Sequence, residues 1–143
     1  MRRRSYLFNQ VVSARIADSL YEQPMLGDCV QFVGNRSFFP LPDVEPSSLQ
    51  RLQSREVCLT APLWGAGELP SESQAKIYES EVLEEYKVLQ AGLANNGLRQ
   101  ERRPLLLVPD NLTATWIDEQ SVCINFYLPS GCYATTVLRE LIQ

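Results

Sequence analysis

The sequence contains no histidine among its 143 residues. This absence excludes Ser-His-Asp and Cys-His catalytic triads, histidine metal ligands and histidine general bases. No apolar run approaches the roughly 20 residues that a helix needs to cross a bilayer, so a membrane protein is not expected. The arginine-rich start is followed by a segment that polar residues interrupt, which argues against a secretion signal. We therefore expect a cytoplasmic protein.

Recognisable metal-binding and phosphate-binding motifs are also missing. The four cysteines (Cys29, Cys58, Cys123 and Cys132) form no Cys-x-x-Cys pair, whereas structural zinc sites usually draw two ligands from one short knuckle. Three of them lie in apolar, strand-like runs, which is typical of buried, reduced thiols. The Gly65-x-Gly67 pair lacks the further glycine and the strand–helix context of a phosphate loop. No metal site is predicted.

The net charge is small, but the charged residues are strongly segregated along the chain. Thirteen basic and seventeen acidic residues give a net charge of −4, which excludes a uniformly basic nucleic-acid-binding protein. Residues 1–15 hold four arginines and no acid, residues 56–87 hold seven glutamates, and Arg99, Arg102 and Arg103 form a second basic group. The two basic segments could contact a polyanion while the acidic middle faces water. The alternative is that all three are ordinary solvated surface.

The spacing of apolar residues predicts both helices and strands. Helices are predicted over residues 5–20, 47–53, 71–93 and 135–142, the third beginning at a capping box formed by Ser71 and Gln74. Strands are predicted over residues 29–33, 56–60, 105–108, 113–117 and 122–128, with a tight turn at Asp118-Glu119 between the last two. Helices and strands without regular βαβ alternation indicate an α+β fold.

Few residues stand out as candidates for chemistry. Tyr133 follows a Pro-Gly bend, where an aromatic ring can stack on an unpaired base or simply pack in a core. Arg99, Arg102 and Arg103 could hold phosphates, although exposed arginines beside a strand are common. Asp28, Asp110 and Asp118 lie in turn contexts, where short side-chain hydrogen bonds favour aspartate. We therefore assign no nucleophile to them.

Several segments, in order along nearly the whole chain, resemble the TruD family of tRNA pseudouridine synthases. The C-terminal signature of that family is similar to residues 126–141, FYLPSGCYATTVLREL, and a second match is residues 98–104, LRQERRP. Further support comes from residues 6–13, 27–28, 36–39 and 61–67.

The resemblance implies an enzyme that isomerises uridine 13 of tRNA to pseudouridine, without metal or organic cofactor. It also implies a catalytic domain that is interrupted by an insertion domain, with RNA bound in the cleft between them. Residues 5–106 would be the C-terminal part of the insertion domain. Residues 107–143 would be the C-terminal piece of the catalytic domain.

The sequence also departs from the family pattern. Neither the Gly-Thr-Lys-Asp-like stretch that carries the nucleophilic aspartate nor the Asn-x-Phe-Gly motif occurs here. The resemblance therefore implies a C-terminal fragment that is inactive alone, with the nucleophile in a missing N-terminal half. Tyr133 falls where the family has an aromatic that contacts the target uracil, and Arg139 would either orient the missing aspartate or cap the last helix. The alternatives are a non-catalytic RNA-binding module, or one half of a split enzyme that docks on a separately encoded half.

Overall fold

The computed structural model describes residues 2–106, 110–128 and 138, and the chain divides into two compact units, Met1–Leu105 and Leu106–Gln143. Within the described residues the helices are α1 (Arg2–Ala17), α2 (Pro46–Gln53), α3 (Ser73–Val82) and α4 (Lys87–Asn95), with a 3-10 turn at Glu84–Tyr86. The strands are β1 (Cys29–Phe32), β2 (Phe38–Pro40), β3 (Val57–Leu63), β4 (Glu101–Pro104), β5 (Asp110–Trp116) and β6 (Val122–Tyr127). This mixture confirms the predicted α+β class. None of the described helices is both long and apolar enough to cross a membrane.

An antiparallel sheet in the order β2-β1-β3-β4 forms the centre of the first unit. One core cluster joins α1 to β3 and to the α3–α4 segment through six buried side chains: Leu7, Phe8, Val11, Ala61, Leu83 and Leu93. A second cluster lies between β1, β2 and β3, and its buried members are Val30, Leu41, Val57 and Leu59. The sheet therefore contributes to two separate apolar clusters, one shared with the helices α1 and α4 and one between its own strands.

The predicted first helix is confirmed, although it begins and ends three residues earlier than expected. Its buried positions Leu7, Phe8 and Val11 follow the three- and four-residue spacing of an amphipathic helix. The helix ends at Ala17 because Ser19 takes a left-handed conformation, with φ of 57°.

The prediction of one long helix from Ser71 was wrong in two respects. The helix is interrupted at Leu83, whose side chain is buried and whose carbonyl accepts a hydrogen bond from Gln90 Nε2. Ser71 also does not cap the helix, since its hydroxyl donates to Glu79 Oε1 at 2.6 Å in the interior. The N-cap residue is Glu72, without a side-chain capping bond. The Ser71 hydroxyl therefore makes a tertiary contact instead of the predicted capping bond.

The strands around the sheet also differ from the sequence prediction. β3 extends through Leu63, where a loop was expected, because Thr60–Leu63 pairs with β4. β4 covers Glu101–Pro104, so the strand predicted over 105–108 is wrong at Leu105 and Leu106, and its last two residues lie outside the described ones. The three-residue strand β2 was not predicted, since it lies in a proline-containing stretch.

The described part of the second unit is the β5–β6 hairpin, and both strands confirm the prediction. Trp116 pairs with Val122 next to the loop, where the backbone N–H groups of Ile117 and Asp118 donate to the carbonyl of Ser121. The predicted helix over 135–142 lies outside the described residues apart from residue 138. The unit boundary after Leu105 is one residue from the predicted domain boundary, and the assignment of the two units to insertion and catalytic domains stays a prediction.

Candidate functional site

The two basic segments of the sequence meet at one buried side chain, that of Arg4. Its Nη1 donates to Glu101 Oε2 at 3.0 Å, which ties the start of α1 to β4. Its other N–H groups donate to the backbone carbonyls of Leu63, Trp64 and Arg99. Arg4 is only 4% exposed, so this guanidinium stabilises the local fold. We call the group Arg4, Arg99 and Arg103 the basic junction.

The loop beside the basic junction is held tightly against the neighbouring segment. A Cβ atom on Gly65 would lie 2.2 Å from the carbonyl carbon of Arg99, so only glycine fits without backbone movement. The N–H of Ala66 donates to the carbonyl of Leu98 at 2.7 Å, and Gln100 Nε2 donates to the carbonyl of Gly65 at 2.9 Å. The loop therefore gives the junction a fixed backbone.

Two arginines of the basic junction remain accessible to an anion. Arg99 is exposed, and Arg103 is half-buried with its guanidinium carbon 5.2 Å from the ring centroid of Phe8. Stacking on an aromatic ring restricts the guanidinium while its N–H groups can still donate to phosphate oxygens. These positions fit a contact to a polyanion backbone.

The structure does not support the predicted phosphate contact of Arg102. Its side chain is fully buried and forms a bidentate ion pair with Glu79, with Nη1–Oε1 and Nη2–Oε2 distances of 2.9 and 2.7 Å. Its Nε donates to Thr60 Oγ1 and its Nη2 also donates to the Thr60 carbonyl, each at 2.9 Å. Arg102 therefore fastens α3 to the sheet, and the accessible arginines of this segment are Arg99 and Arg103.

The Arg102–Glu79 pair changes the titration of the groups around it. Burial alone would lower the pKa of Arg102, but the Glu79 carboxylate outweighs it and the pKa is raised. The nearby Cys29 thiol has its pKa raised to about 11, chiefly by burial, with Arg102 acting in the opposite direction. Cys29 is thus held as a neutral thiol at neutral pH, which is not the state of a nucleophile.

The aspartates for which side-chain contacts are described have local structural partners. Asp28 is fully buried and forms a bidentate pair with Arg15 at 2.8 and 2.9 Å, while its Oδ2 also accepts from the N–H of Met25. The others, with their donors, are Asp18 with the Tyr78 hydroxyl, Asp43 with the Glu45 N–H and the Ser48 hydroxyl, and Asp118 with the Gln120 N–H. Asp110 lies in β5 rather than in the expected turn.

Tyr133 and Arg139 lie outside the described residues, so their predicted contacts with the uracil and with the aspartate stay predictions. Sequence reasoning missed the buried roles of Arg4, Arg15 and Glu79. A signal existed for the first two, because Arg4 and Arg15 continue the three- and four-residue spacing of the buried stripe of α1. Among the residues that the structure describes, no cluster of three potential metal ligands occurs.

Comparison with known proteins gives consistent matches over almost the whole chain. The family model of tRNA pseudouridine synthase D (TruD) matches residues 3–141. The curated tRNA pseudouridine synthase D of Aeromonas hydrophila is 47% identical over 141 residues, and that of Pseudoalteromonas atlantica is 43% identical over 140. Each alignment covers 98% of this chain and 40% of the relative.

A solved structure is similar as well. The crystal structure of a Methanosarcina mazei protein assigned to TruD matches with a TM-score of 0.66 and 28% identity, covering 96% of this chain and 36% of that one. The chain therefore spans about two fifths of the length of the curated relatives it matches. The resemblance noted in the sequence is confirmed: the chain belongs to the tRNA pseudouridine synthase D (TruD) family.

Proposed function

We propose that this chain supplies the C-terminal part of a tRNA pseudouridine synthase that converts uridine 13 of tRNA to pseudouridine. The observation that carries the proposal is the family match over residues 3–141, together with relatives that carry this name and are more than twice as long. A cytoplasmic location, where unmodified tRNA and reduced thiols are both expected, belongs to the same proposal.

The proposed chemistry needs a carboxylate nucleophile, which we infer lies outside this chain. In the proposed reaction an aspartate attacks the ribose or the uracil, the bond between N1 and the sugar breaks, and the base turns. Carbon 5 then bonds to the sugar as the bond to the aspartate breaks, and carbon 5 loses its proton while N1 gains one. Asp18, Asp28, Asp43 and Asp118 are already hydrogen-bonded within the chain. We place the nucleophile in the N-terminal part of the family protein, and we keep Tyr133 and Arg139 as the uracil-contacting and orienting residues.

The β5–β6 hairpin supports a role as one part of a larger protein. Trp116, Ile117 and Tyr127 are each 70% exposed, although side chains of this size normally bury most of their surface. In the described residues β5 and β6 pair only with each other, and an isolated two-stranded hairpin is marginally stable in water. Docking of the N-terminal half would cover this apolar surface and provide the missing strand partners.

The direct test is pseudouridine formation on unmodified tRNA, mapped at single-nucleotide resolution. We expect no conversion by the 143-residue chain alone and conversion at position 13 when it is coexpressed with the N-terminal half of a full-length relative. A full-length relative in the same assay controls for the substrate. Conversion by the chain alone would contradict the absence of a nucleophile, and a copurified but inactive complex would contradict the proposal.

The role of Tyr133 can be tested in the same complex. A ring that grips the uracil face is retained in Tyr133→Phe and removed in Tyr133→Ala. We therefore expect Tyr133→Phe to keep most of the activity and Tyr133→Ala to lose at least tenfold in kcat/KM, which corresponds to about 1.4 kcal/mol. Equal activities of the two variants would argue against a stacking role.

A second candidate function is a non-catalytic RNA-binding module. The accessible arginines of the basic junction favour it, because they could hold RNA phosphates without any catalytic group. The two candidates differ in one observable result. A binding module alone would bind tRNA with strong salt dependence and give no pseudouridine, even when the N-terminal half is bound.

A further inference from the structure

An aromatic and basic patch lies beside the second core cluster, where β1 ends and β2 begins. Phe32 at the end of β1 and Phe39 in β2 have ring centroids 5.4 Å apart, with an angle of 42° between the rings. Arg51, in the last turn of α2, places its guanidinium carbon 5.6 Å from the Phe32 centroid and 5.8 Å from the Phe39 centroid. The three side chains form one aromatic and cation–π cluster, which we call the Phe32 patch.

The patch is exposed beyond what packing of the core requires. Phe39 packs partly on the buried residues of the core, but Phe32 is 38% exposed and the next residue, Val33, is 52% exposed. A single exposed apolar residue needs no explanation, whereas an exposed aromatic ring in contact with a second ring and a guanidinium forms an amphipathic surface. Such a surface can bind a flat ring system on its face.

The charges around the patch are mainly positive. The β1–β2 turn carries exposed Arg36, and the backbone N–H of Val33 donates to the carbonyl of Glu56, which brings the turn after α2 beside the patch. That turn contains exposed Arg55 in a left-handed conformation, with φ of 61°, where glycine would be less strained. The acid beside them, Glu56, is already paired with Arg51 at 3.1 Å.

From this arrangement we infer that the Phe32 patch binds an unpaired segment of the RNA substrate. A base stacks on the exposed Phe32 ring or on the outer face of the Arg51 guanidinium, while Arg36 and Arg55 contact the flanking phosphates. The stacked aromatic and guanidinium surfaces suit bases, and the arginines suit a polyanion, whereas a purely apolar protein partner would not need the three arginines. The inference rests on the proposed function, because it takes tRNA as the ligand.

The test measures binding of the 143-residue chain to fluorescein-labelled unmodified tRNA by anisotropy at several salt concentrations. Loss of one stacked base is worth about 1–3 kcal/mol, so Phe32→Ala is expected to raise Kd by about 5- to 150-fold. Phe32→Leu keeps an apolar side chain but no ring, and it should weaken binding nearly as much. Val88→Ala is the matched control, since Val88 on α4 is 87% exposed and lies outside the patch.

The arginines are tested through the salt dependence of binding. Arg36→Ala is expected to reduce the slope of log Kd against log salt by about 0.7, the value for one single-strand phosphate contact, while Arg36→Lys keeps it. Circular dichroism and the urea midpoint of each variant establish that the chain remains folded. Arg51→Lys keeps the positive charge and both phenylalanines but removes the planar guanidinium surface, so it tests that surface separately.

Three binding results would overturn the inference. They are no binding of tRNA by the unaltered chain, an unchanged Kd in folded Phe32→Ala, and full tRNA affinity in Phe32→Leu, which would show that the Phe32 ring does not stack on a base. The proposed function is judged separately by pseudouridine formation in the coexpressed complex. If that complex converts uridine equally well with and without Phe32→Ala, the patch inference fails while the proposed function stands.

Discussion

Replacing Glu79 with glutamine tests whether the buried ion pair holds the first unit together. Both side chains of the Glu79–Arg102 pair are 0% exposed, and the carboxylate also accepts the hydroxyl of Ser71 at 2.6 Å. The Glu79→Gln change leaves the guanidinium charge buried without its counter-ion, while the shape of the side chain is almost unchanged. Breaking a buried pair from one side costs about 3–5 kcal/mol.

That loss is large compared with the stability of a domain of this size. A small domain is stable by about 5–15 kcal/mol, so Glu79→Gln should remove a substantial fraction of it. With a urea m-value of about 1–3 kcal/mol/M, the unfolding midpoint should fall by at least 1 M. Trp64 reports on the first unit by fluorescence, and a Trp116→Phe background removes the signal from the second unit.

Two comparisons make the reasoning refutable. Glu84→Gln breaks an exposed pair with Lys87, in which the side chains are 70% and 64% exposed, and it should cost less than about 1 kcal/mol. Combining Glu79→Gln with Arg102→Met removes the stranded charge, so the double variant should be more stable than the sum of the single losses predicts. A loss below about 1 kcal/mol in Glu79→Gln, or strict additivity in the double variant, would show that the pair does not stabilise the unit as argued.

Two further predictions concern the loop at the basic junction and the cysteines. Gly65→Ala should destabilise the first unit by about 1–3 kcal/mol because its Cβ would lie 2.2 Å from backbone atoms. Gly92 lies in open space within α4, so Gly92→Ala should stabilise the unit by about 0.5–1 kcal/mol. Urea unfolding midpoints of the two variants measure both effects. Cys123 should react with iodoacetamide at pH 8 much faster than Cys29, since burial raises the pKa of Cys29 from 9.0 to about 11 and its thiolate fraction falls roughly a hundredfold. Peptide mapping by mass spectrometry gives both labelling rates. The Cys29 rate should rise only above about pH 10 or on unfolding. Equal labelling of the two cysteines at pH 8 would contradict the burial of Cys29.

The sequence was most informative where structure depends on local periodicity. The spacing of Leu7, Phe8 and Val11 predicted α1, because a helix presents every third or fourth residue on one face. The alternation in residues 122–128 and the turn at Asp118-Glu119 predicted the β5–β6 hairpin in the same way. Ordered family motifs added the TruD family, which the comparisons confirm.

Contacts between distant residues could not be predicted from the same patterns. Seven glutamates crowd residues 56–87, and only the four-residue spacing between Ala75 and Leu83 sets the buried Glu79 apart from neighbours that lie in water; that spacing does not reveal its partner. Arg102 likewise resembled an exposed phosphate ligand beside Arg103. Only the register between β3 and β4 places Arg102 beneath α3, where Glu79 and Thr60 satisfy its N–H groups.

Sequence alone thus determined α1, the β5–β6 hairpin and the family to which the chain belongs, because local periodicity and the order of motifs along the chain specify them. Only the tertiary structure decided which arginines remain accessible. Arg4, Arg15 and Arg102 are buried with carboxylate partners, whereas Arg99 and Arg103 stay at the surface. A charged group can be buried only where a partner from elsewhere in the chain compensates for its lost hydration, and that pairing is a property of the folded chain.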